Sequence, residues 1–180
     1  MRRYTIALVL LLVLPGFFSA AESQTRRLKG YPVQTDKEEL DFQVQLSEQE
    51  WRERLTDDQY YILCEEGTEY AFSGKYDKFY EKGTYYSAAT GQPLFSSETK
   101  FDSGSGWPSF YAPIDADAVT LIEDNSLFMR RIEVVDSLSG AHLGHVFTDG
   151  PDPTGLRFCI NSDALIFVPE GGEPPEIMEH

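Results

Sequence analysis

The stretch Leu156-Arg157-Phe158-Cys159-Ile160-Asn161 alternates apolar and polar side chains. A strand turns successive side chains to opposite faces, so Leu156, Phe158 and Ile160 face a core while Arg157, Cys159 and Asn161 share the other side. Tyr85-Tyr86, Leu94-Phe95, Leu127 to Val135, Val146-Phe147 and Ala164 to Val168 are further short apolar runs set between glycines and prolines, and each predicts a strand. Two helices precede them. Ser47 with Glu50, and Thr56 with Gln59, have the spacing of capping boxes. On the second helix Tyr60, Leu63 and Cys64 share a face, and Gly67 is its expected left-handed terminator. No long helical period separates the strands, which argues against a parallel α/β sheet. The expected fold is mainly β and antiparallel, with short N-terminal helices leading in.

The ends read differently. Arg2 and Arg3 precede an apolar run from Ile6 to Leu14, which Pro15 and Gly16 break before Ser19, Ala20 and Ala21. This is the pattern of a secretory signal over residues 1–21, and the run is short of the roughly 20 apolar residues a membrane span needs. An uncleaved anchor is the alternative. Cleavage predicts a secreted or periplasmic protein with no membrane attachment. Residues 22–40 are polar, lack a period and read as a linker, with the folded domain over 41–169. Residues 170–180 hold Gly171, Gly172, Pro174 and Pro175 among acids and read as an acidic, mobile tail.

Composition narrows the classes. With 180 residues and 41% hydrophobic side chains, one domain with a real core is affordable and general disorder is excluded. The formal charge of −15 repels phosphate backbones, so no nucleic-acid partner is expected. Two cysteines exclude a disulfide-dense scaffold and a four-cysteine metal site, leaving one bridge or one redox pair.

Candidate chemistry centres on Cys159. A thiol is a nucleophile when ionised, and Arg157 and Asn161 stand two residues to either side on the same face. A buried cysteine serving as a small hydrophobe is the plain alternative. His142 and His145, with Asp149 following, are the histidines of the expected fold, and imidazole exchanges protons near neutral pH. A metal held by His142, His145 and Asp149 is a competing reading, but Gly140 and Gly144 argue against the helix that would align them. On a regular strand the two histidines point to opposite faces, so a shared pocket needs a bend, which Gly144 permits. The glycine-rich Phe101-Asp102-Ser103-Gly104-Ser105-Gly106 leads into Trp107-Pro108. It is either a surface turn with a packing tryptophan or a loop offering a flat apolar wall to a methyl or thioether group.

Taken in order, Gly67-Thr68-Glu69, Ala71-Phe72-Ser73-Gly74, Gly91-Gln92-Pro93-Leu94-Phe95, Gly106-Trp107-Pro108-Ser109-Phe110, Met129-Arg130-Arg131, His142-Leu143-Gly144-His145-Val146-Phe147 and Gly155 to Asn161 form a spaced series. From about Leu46 to Pro169 the chain resembles the methionine sulfoxide reductase B family. The resemblance implies two antiparallel sheets and reduction of (R)-methionine sulfoxide in oxidised peptides or proteins, without a cofactor. It makes Cys159 the catalytic cysteine and Trp107 the wall for the substrate methyl. His142, His145, Asp149, Arg157 and Asn161 become the polar lining.

Three positions depart from the family pattern. Many members bind zinc through two Cys-x-x-Cys pairs, where this chain has Ser87, Thr90, Asp136 and Ser139, so no metal is expected. Ser105 stands where many members keep a resolving cysteine. Cys64 is the remaining thiol, and as in some relatives it is expected to resolve, giving a Cys64–Cys159 disulfide that a thioredoxin-like reductant reopens. The competing class is an exported, redox-inert binding module in which that bridge is structural.

Overall fold

The structure is a computed structural model that describes residues 26–126 and 129–178. The expected signal segment lies outside these residues. In chain order the elements are β1 (Arg27–Leu28), β2 (Tyr31–Gln34), α1 (Glu48–Arg54), α2 (Asp57–Leu63), β3 (Gly83–Ser87), β4 (Pro93–Ser96), β5 (Lys100–Phe101), β6 (Ser109–Phe110), β7 (Val119–Asp124), β8 (Arg131–Asp136), β9 (His142–Phe147), β10 (Arg157–Ile160) and β11 (Leu165–Pro169).

Both helices start on the expected capping boxes. Ser47 and Thr56 hydroxyls accept from the backbone of Glu50 and Gln59, whose side chains accept in return from the cap N–H groups. Helix α2 buries Tyr60, Ile62 and Leu63 and ends at Cys64. The left-handed residue after it is Glu66 (φ 56°), not Gly67. Gly67 instead leaves room for the Tyr61 ring, which a Cβ at residue 67 would meet at 2.4 Å and displace.

The strands form two sheets, an eight-stranded one ordered β1-β2-β7-β8-β9-β10-β6-β5 and a three-stranded one ordered β11-β3-β4. All pairs are antiparallel except β2 with β7, which run parallel with Val33 opposite Leu121. The segment expected to be a linker therefore supplies β1 and β2. Among its described residues one apolar side chain, Val33, is buried, too little alternation to announce a strand. The sequence pattern does not announce strand β7 either; of the strand expected over Leu127 to Val135, Leu127 and Phe128 lie outside the described residues, and Arg131 onward belongs to β8.

Four aromatic rings join the sheets. Tyr85 and Phe95 from the small sheet meet Phe110 and Phe158 from the large one, all fully buried, with Phe95 stacked on Phe110 at 4.5 Å between centroids. Leu156, Phe158 and Ile160 are likewise inaccessible, as the period of two requires.

Ser87, Thr90, Asp136 and Ser139 occupy two adjoining turns. Thr90 Oγ1 donates to Asp136 Oδ2 at 2.7 Å, and the backbone N–H groups of Leu138 and Ser139 donate to the other carboxylate oxygen at 2.8 and 3.0 Å. Three hydroxyls and one carboxylate, engaged in these turns, do not fit a tetrahedral zinc donor set. Hydrogen bonds tie the turns together instead. The tail also differs from expectation: it runs back over this region, with the Met178 N–H donating to Thr90 O at 2.8 Å.

Candidate active site

The large sheet sets the site through its register. Cys159 on β10 lies opposite His145 on β9 and Ser109 on β6, and His145 lies opposite Glu133 on β8. Directly opposed residues share a face, so Glu133, His145, Cys159 and Ser109 form a polar row on the outer face of the sheet. The apolar neighbours of Cys159 on its own strand, Phe158 and Ile160, fill the core beneath.

His142 joins this row because β9 is irregular. Gly144 pairs with Val134, yet His142, two residues back, pairs with the next residue, Val135. The extra residue is Leu143, a bulge that turns His142 to the side of His145, with ring centroids 5.4 Å apart. Gly144 is required by close approach, since a Cβ there would stand 2.1 Å from the Cys159 carbonyl oxygen. Asn161 stabilises the bulge, donating from both its backbone N–H and its side-chain amide to Leu143 O at 2.9 and 3.0 Å.

A pocket of about 160 Å³ opens over the thiol, lined by Thr68, Trp107, Arg131, Gly144, His145, Phe147, Cys159 and Asn161. Trp107 is fixed by its indole N–H, which donates to Glu69 O at 3.2 Å. Glu69 in turn anchors this wall: its N–H donates to Asn161 Oδ1, and its carboxylate accepts from the backbone of Ser162.

Several electrostatic expectations change. Each histidine is oriented by a carboxylate, but neither by Asp149. His142 Nδ1 lies 2.8 Å from Glu133 Oε1, and His145 Nε2 lies 2.8 Å from Asp124 Oδ2. Asp149 instead holds Arg157, which donates to both its oxygens at 2.9 and 3.0 Å, with the guanidinium over the Phe147 ring. Asn161 contributes to the pocket wall, but its amide is committed to Leu143 and Glu69, so it does not serve the thiol as expected.

Burial pushes the Cys159 thiol above its ordinary range, and the Ser105 hydroxyl together with the charge and hydrogen bonding of Arg157 oppose this without overcoming it. Burial also lowers His145, against its hydrogen bond to the Asp124 carboxylate, which raises it. Asp124 is itself raised by burial, but bonds from Ser126 and His145 and the Arg131 charge outweigh that and hold its carboxyl well below the usual range. Burial thus disfavours charge on both the thiol and the imidazole of the resting site.

His142 is nearly inaccessible and stands behind His145 rather than in the pocket wall. Cys64, half-buried at the end of α2, is also outside the wall, and both cysteines are free thiols. Sequence reasoning missed Asp124 and Glu133. Glu133 carried a signal, a carboxylate isolated between Ile132 and Val134 in a strand, whereas Asp124 reaches His145 from a strand that was not foreseen.

A thiol in a small pocket with an indole wall, flanked by imidazole–carboxylate pairs on a two-sheet β fold, is an arrangement suited to thiol chemistry. Residues 55–169 match the SelR domain family. The chain is 58% identical over 127 residues to a peptide methionine sulfoxide reductase MsrB of Methanosarcina mazei, covering 71% of this chain and 91% of the relative. It is 52% identical over 131 residues to the protein of the same name from Leptospira interrogans, covering 73% of this chain and all of the relative. Against that of Agrobacterium fabrum it is 52% identical over 126 residues, covering 70% and 93%. The chain belongs to the SelR, or methionine sulfoxide reductase B, family.

Proposed function

We propose that the protein reduces (R)-methionine sulfoxide in oxidised peptides or proteins to methionine, with Cys159 as nucleophile. The observation that carries this reading is the placement of the Cys159 thiol in a pocket bounded by Trp107 and, across the strand pair, by His145. The substrate methyl packs on the indole, and the S=O group lies between sulfur and imidazole. Thiol ionisation is coupled to the reaction: Cys159 gives up its proton through His145, its sulfur attacks the sulfoxide sulfur, and the imidazolium protonates the oxygen. The oxygen is retained on Cys159 as a sulfenic acid and methionine departs, so two electrons pass from the cysteine to the substrate. The thiol proton ends on the sulfenic oxygen.

Cys64 then condenses with the sulfenic acid, releasing water and forming a Cys64–Cys159 disulfide. A thioredoxin-like dithiol reopens it by exchange and leaves as a disulfide. Cys64 is four residues from Thr68, which lines the pocket. A disulfide needs the two cysteine Cα atoms within about 7 Å, so the step requires the Cys64–Thr68 segment to bring Cys64 that close to Cys159. Its left-handed Glu66 carries a conformation costing roughly 1–2 kcal/mol, which lowers the cost of rearranging it. The apolar run Ile6 to Leu14 supports export, and hence a role on other exported proteins.

The test is an assay of the fully reduced protein on a racemic methionine sulfoxide peptide. Consumption of the R epimer alone, abolished by alkylating Cys159, is expected. No consumption would replace the enzyme by the redox-inert module. Cys64→Ser should keep the first turnover and stall afterwards with a thioredoxin-type reductant.

A further inference from the structure

Three serines continue the polar row beyond Cys159. Ser105 Oγ lies 3.8 Å from Cys159 Sγ and 2.8 Å from Ser103 Oγ, and Ser103 Oγ lies 2.7 Å from Ser109 Oγ. Ser109 is fully buried, and its hydroxyl donates to Trp107 O at a longer 3.2 Å. The Ser105 N–H donates to Ser103 Oγ at 3.3 Å, closing the loop onto itself. The histidine side of the row is built from groups that exchange protons at neutral pH. The serine side is built from groups that do not, yet it reaches the reacting sulfur.

Each hydroxyl has one proton and two lone pairs, so this chain has two self-consistent polarities. In one, Ser109 donates to Trp107 O, Ser103 to Ser109, Ser105 to Ser103, and the thiol S–H to Ser105. In the other, every bond is reversed: Ser109 donates to Ser103, Ser103 to Ser105, and Ser105 to the sulfur. Reversal gives up only the 3.2 Å bond to Trp107 O. No proton changes oxygen, and each hydroxyl only rotates.

We propose that Ser105 is a catalytic residue of this reaction, backed by Ser103 and Ser109 as positioning residues, and that the chain switches from accepting the thiol proton's hydrogen bond to donating one onto the sulfur when charge develops there. The proposal rests on Cys159 being the nucleophile of the proposed function. It gives a partly buried thiol a second source of support for its ionised form, beside the Arg157 guanidinium that Asp149 holds in place. Among the influences opposing burial at Cys159, the Ser105 hydroxyl stands ahead of the Arg157 charge. A hydroxyl also suits the later state, because it can accept from or donate to a sulfenic acid on the same sulfur.

The test is the pH dependence of iodoacetamide alkylation of Cys159 in the reduced full chain, read by mass spectrometry of the Cys159 peptide so that Cys64 does not contribute. Ser105→Ala should move the midpoint upward by about one pH unit, slowing alkylation at pH 7 about tenfold, since a unit of pKa is a tenfold change in ionisation. Ser105→Thr, which keeps the hydroxyl, should restore the profile. Ser103→Ala, which does not touch the thiol, should give a smaller shift of the same sign and keeps the proposal open to refutation if Ser105→Ala fails to fold. Profiles of Ser105→Ala or Ser103→Ala that superpose on the parent would overturn it. Alkylation needs no sulfoxide, so a protein that shows these shifts but reduces no methionine sulfoxide would refute the proposed function and not the hydroxyl chain.

Discussion

Gly144 and Cys159 approach so closely across β9 and β10 that a Cβ on residue 144 would stand 2.1 Å from the Cys159 carbonyl oxygen. The obstacle is backbone, which cannot swing aside as a side chain would. Gly144→Ala must therefore separate the two strands that carry the thiol and both histidines. A loss of about 1–3 kcal/mol is expected from forcing atoms into a packed site, checked by urea denaturation. First-turnover sulfoxide reduction should fall more than stability does, because the displaced strands carry the reacting groups.

Asp124 orients His145, and its influence on the imidazole opposes that of burial. Asp124→Asn removes the charge that raises His145, so the imidazolium becomes harder to form. The expected result is a drop in kcat of about 100-fold, the low end of what general acid–base catalysis contributes. The acid-side limb of the pH–rate profile should move to lower pH. A kcat and profile matching the parent would show that His145 acts without its carboxylate.

Most of the fold's framework was legible because local chemistry and tertiary structure agree. Two capping boxes start the helices where the spacing says, and the alternation of Leu156, Phe158 and Ile160 names the buried face of β10. Long-range features were not legible. Strand β2 is specified by its pairing with β7 rather than by its own composition. The Leu143 bulge appears only once β8 and β9 are in register, and that bulge brings His142 and His145 to one side. Asp149 lies four residues from His145 and was an obvious partner by sequence; Asp124, 21 residues away, is the actual one because a neighbouring strand delivers it. The motifs that carry Cys159, Trp107 and His145 come together around one pocket, whereas the carboxylates that orient the histidines come from strands no motif announces.

The hydrogen bond from Thr90 to the fully buried Asp136 carboxylate joins two adjoining turns. Thr90→Val preserves shape and removes the donor, leaving a buried carboxylate short of one bond. A loss of about 1–3 kcal/mol is expected, measured as a lower urea midpoint. Incubating the parent protein with EDTA should leave its Tm unchanged. A Tm drop on chelation would mean that these turns hold a metal after all.

Stability should also fall in acid for a reason that can be assigned. Asp124 is held below the usual carboxylate range in the fold and returns to it on unfolding. As pH falls through about 4, the ordinary aspartate value, the unfolded chain takes up this proton before the native one does. The contribution is thus complete above that range and disappears as pH drops toward the folded value. Urea midpoints measured from pH 6 down to pH 2 should decline, and Asp124→Asn should start lower but decline less steeply. Parallel curves would remove Asp124 as a source of the acid sensitivity.

Ser105 Oγ lies 3.8 Å from Cys159 Sγ, so a thiol introduced there would begin near bonding reach of a sulfenic acid on Cys159, without the rearrangement that Cys64 needs. An S–S bond of about 2.05 Å requires the two sulfurs to close by a little under 2 Å, and Gly104 and Gly106 on either side give the loop that freedom. In a Cys64→Ser background, which should stall after one turnover, adding Ser105→Cys should restore repeated turnover with a thioredoxin-type reductant and give a new disulfide to Cys159 detectable by peptide mapping. The first turnover should nonetheless be slower than in the parent, because the same substitution removes the hydroxyl that donates to the reacting sulfur. Restored cycling with an unslowed first step would separate the two roles of this position and count against the hydroxyl. A continued stall would place residue 105 out of reach of Cys159 in the oxidised state.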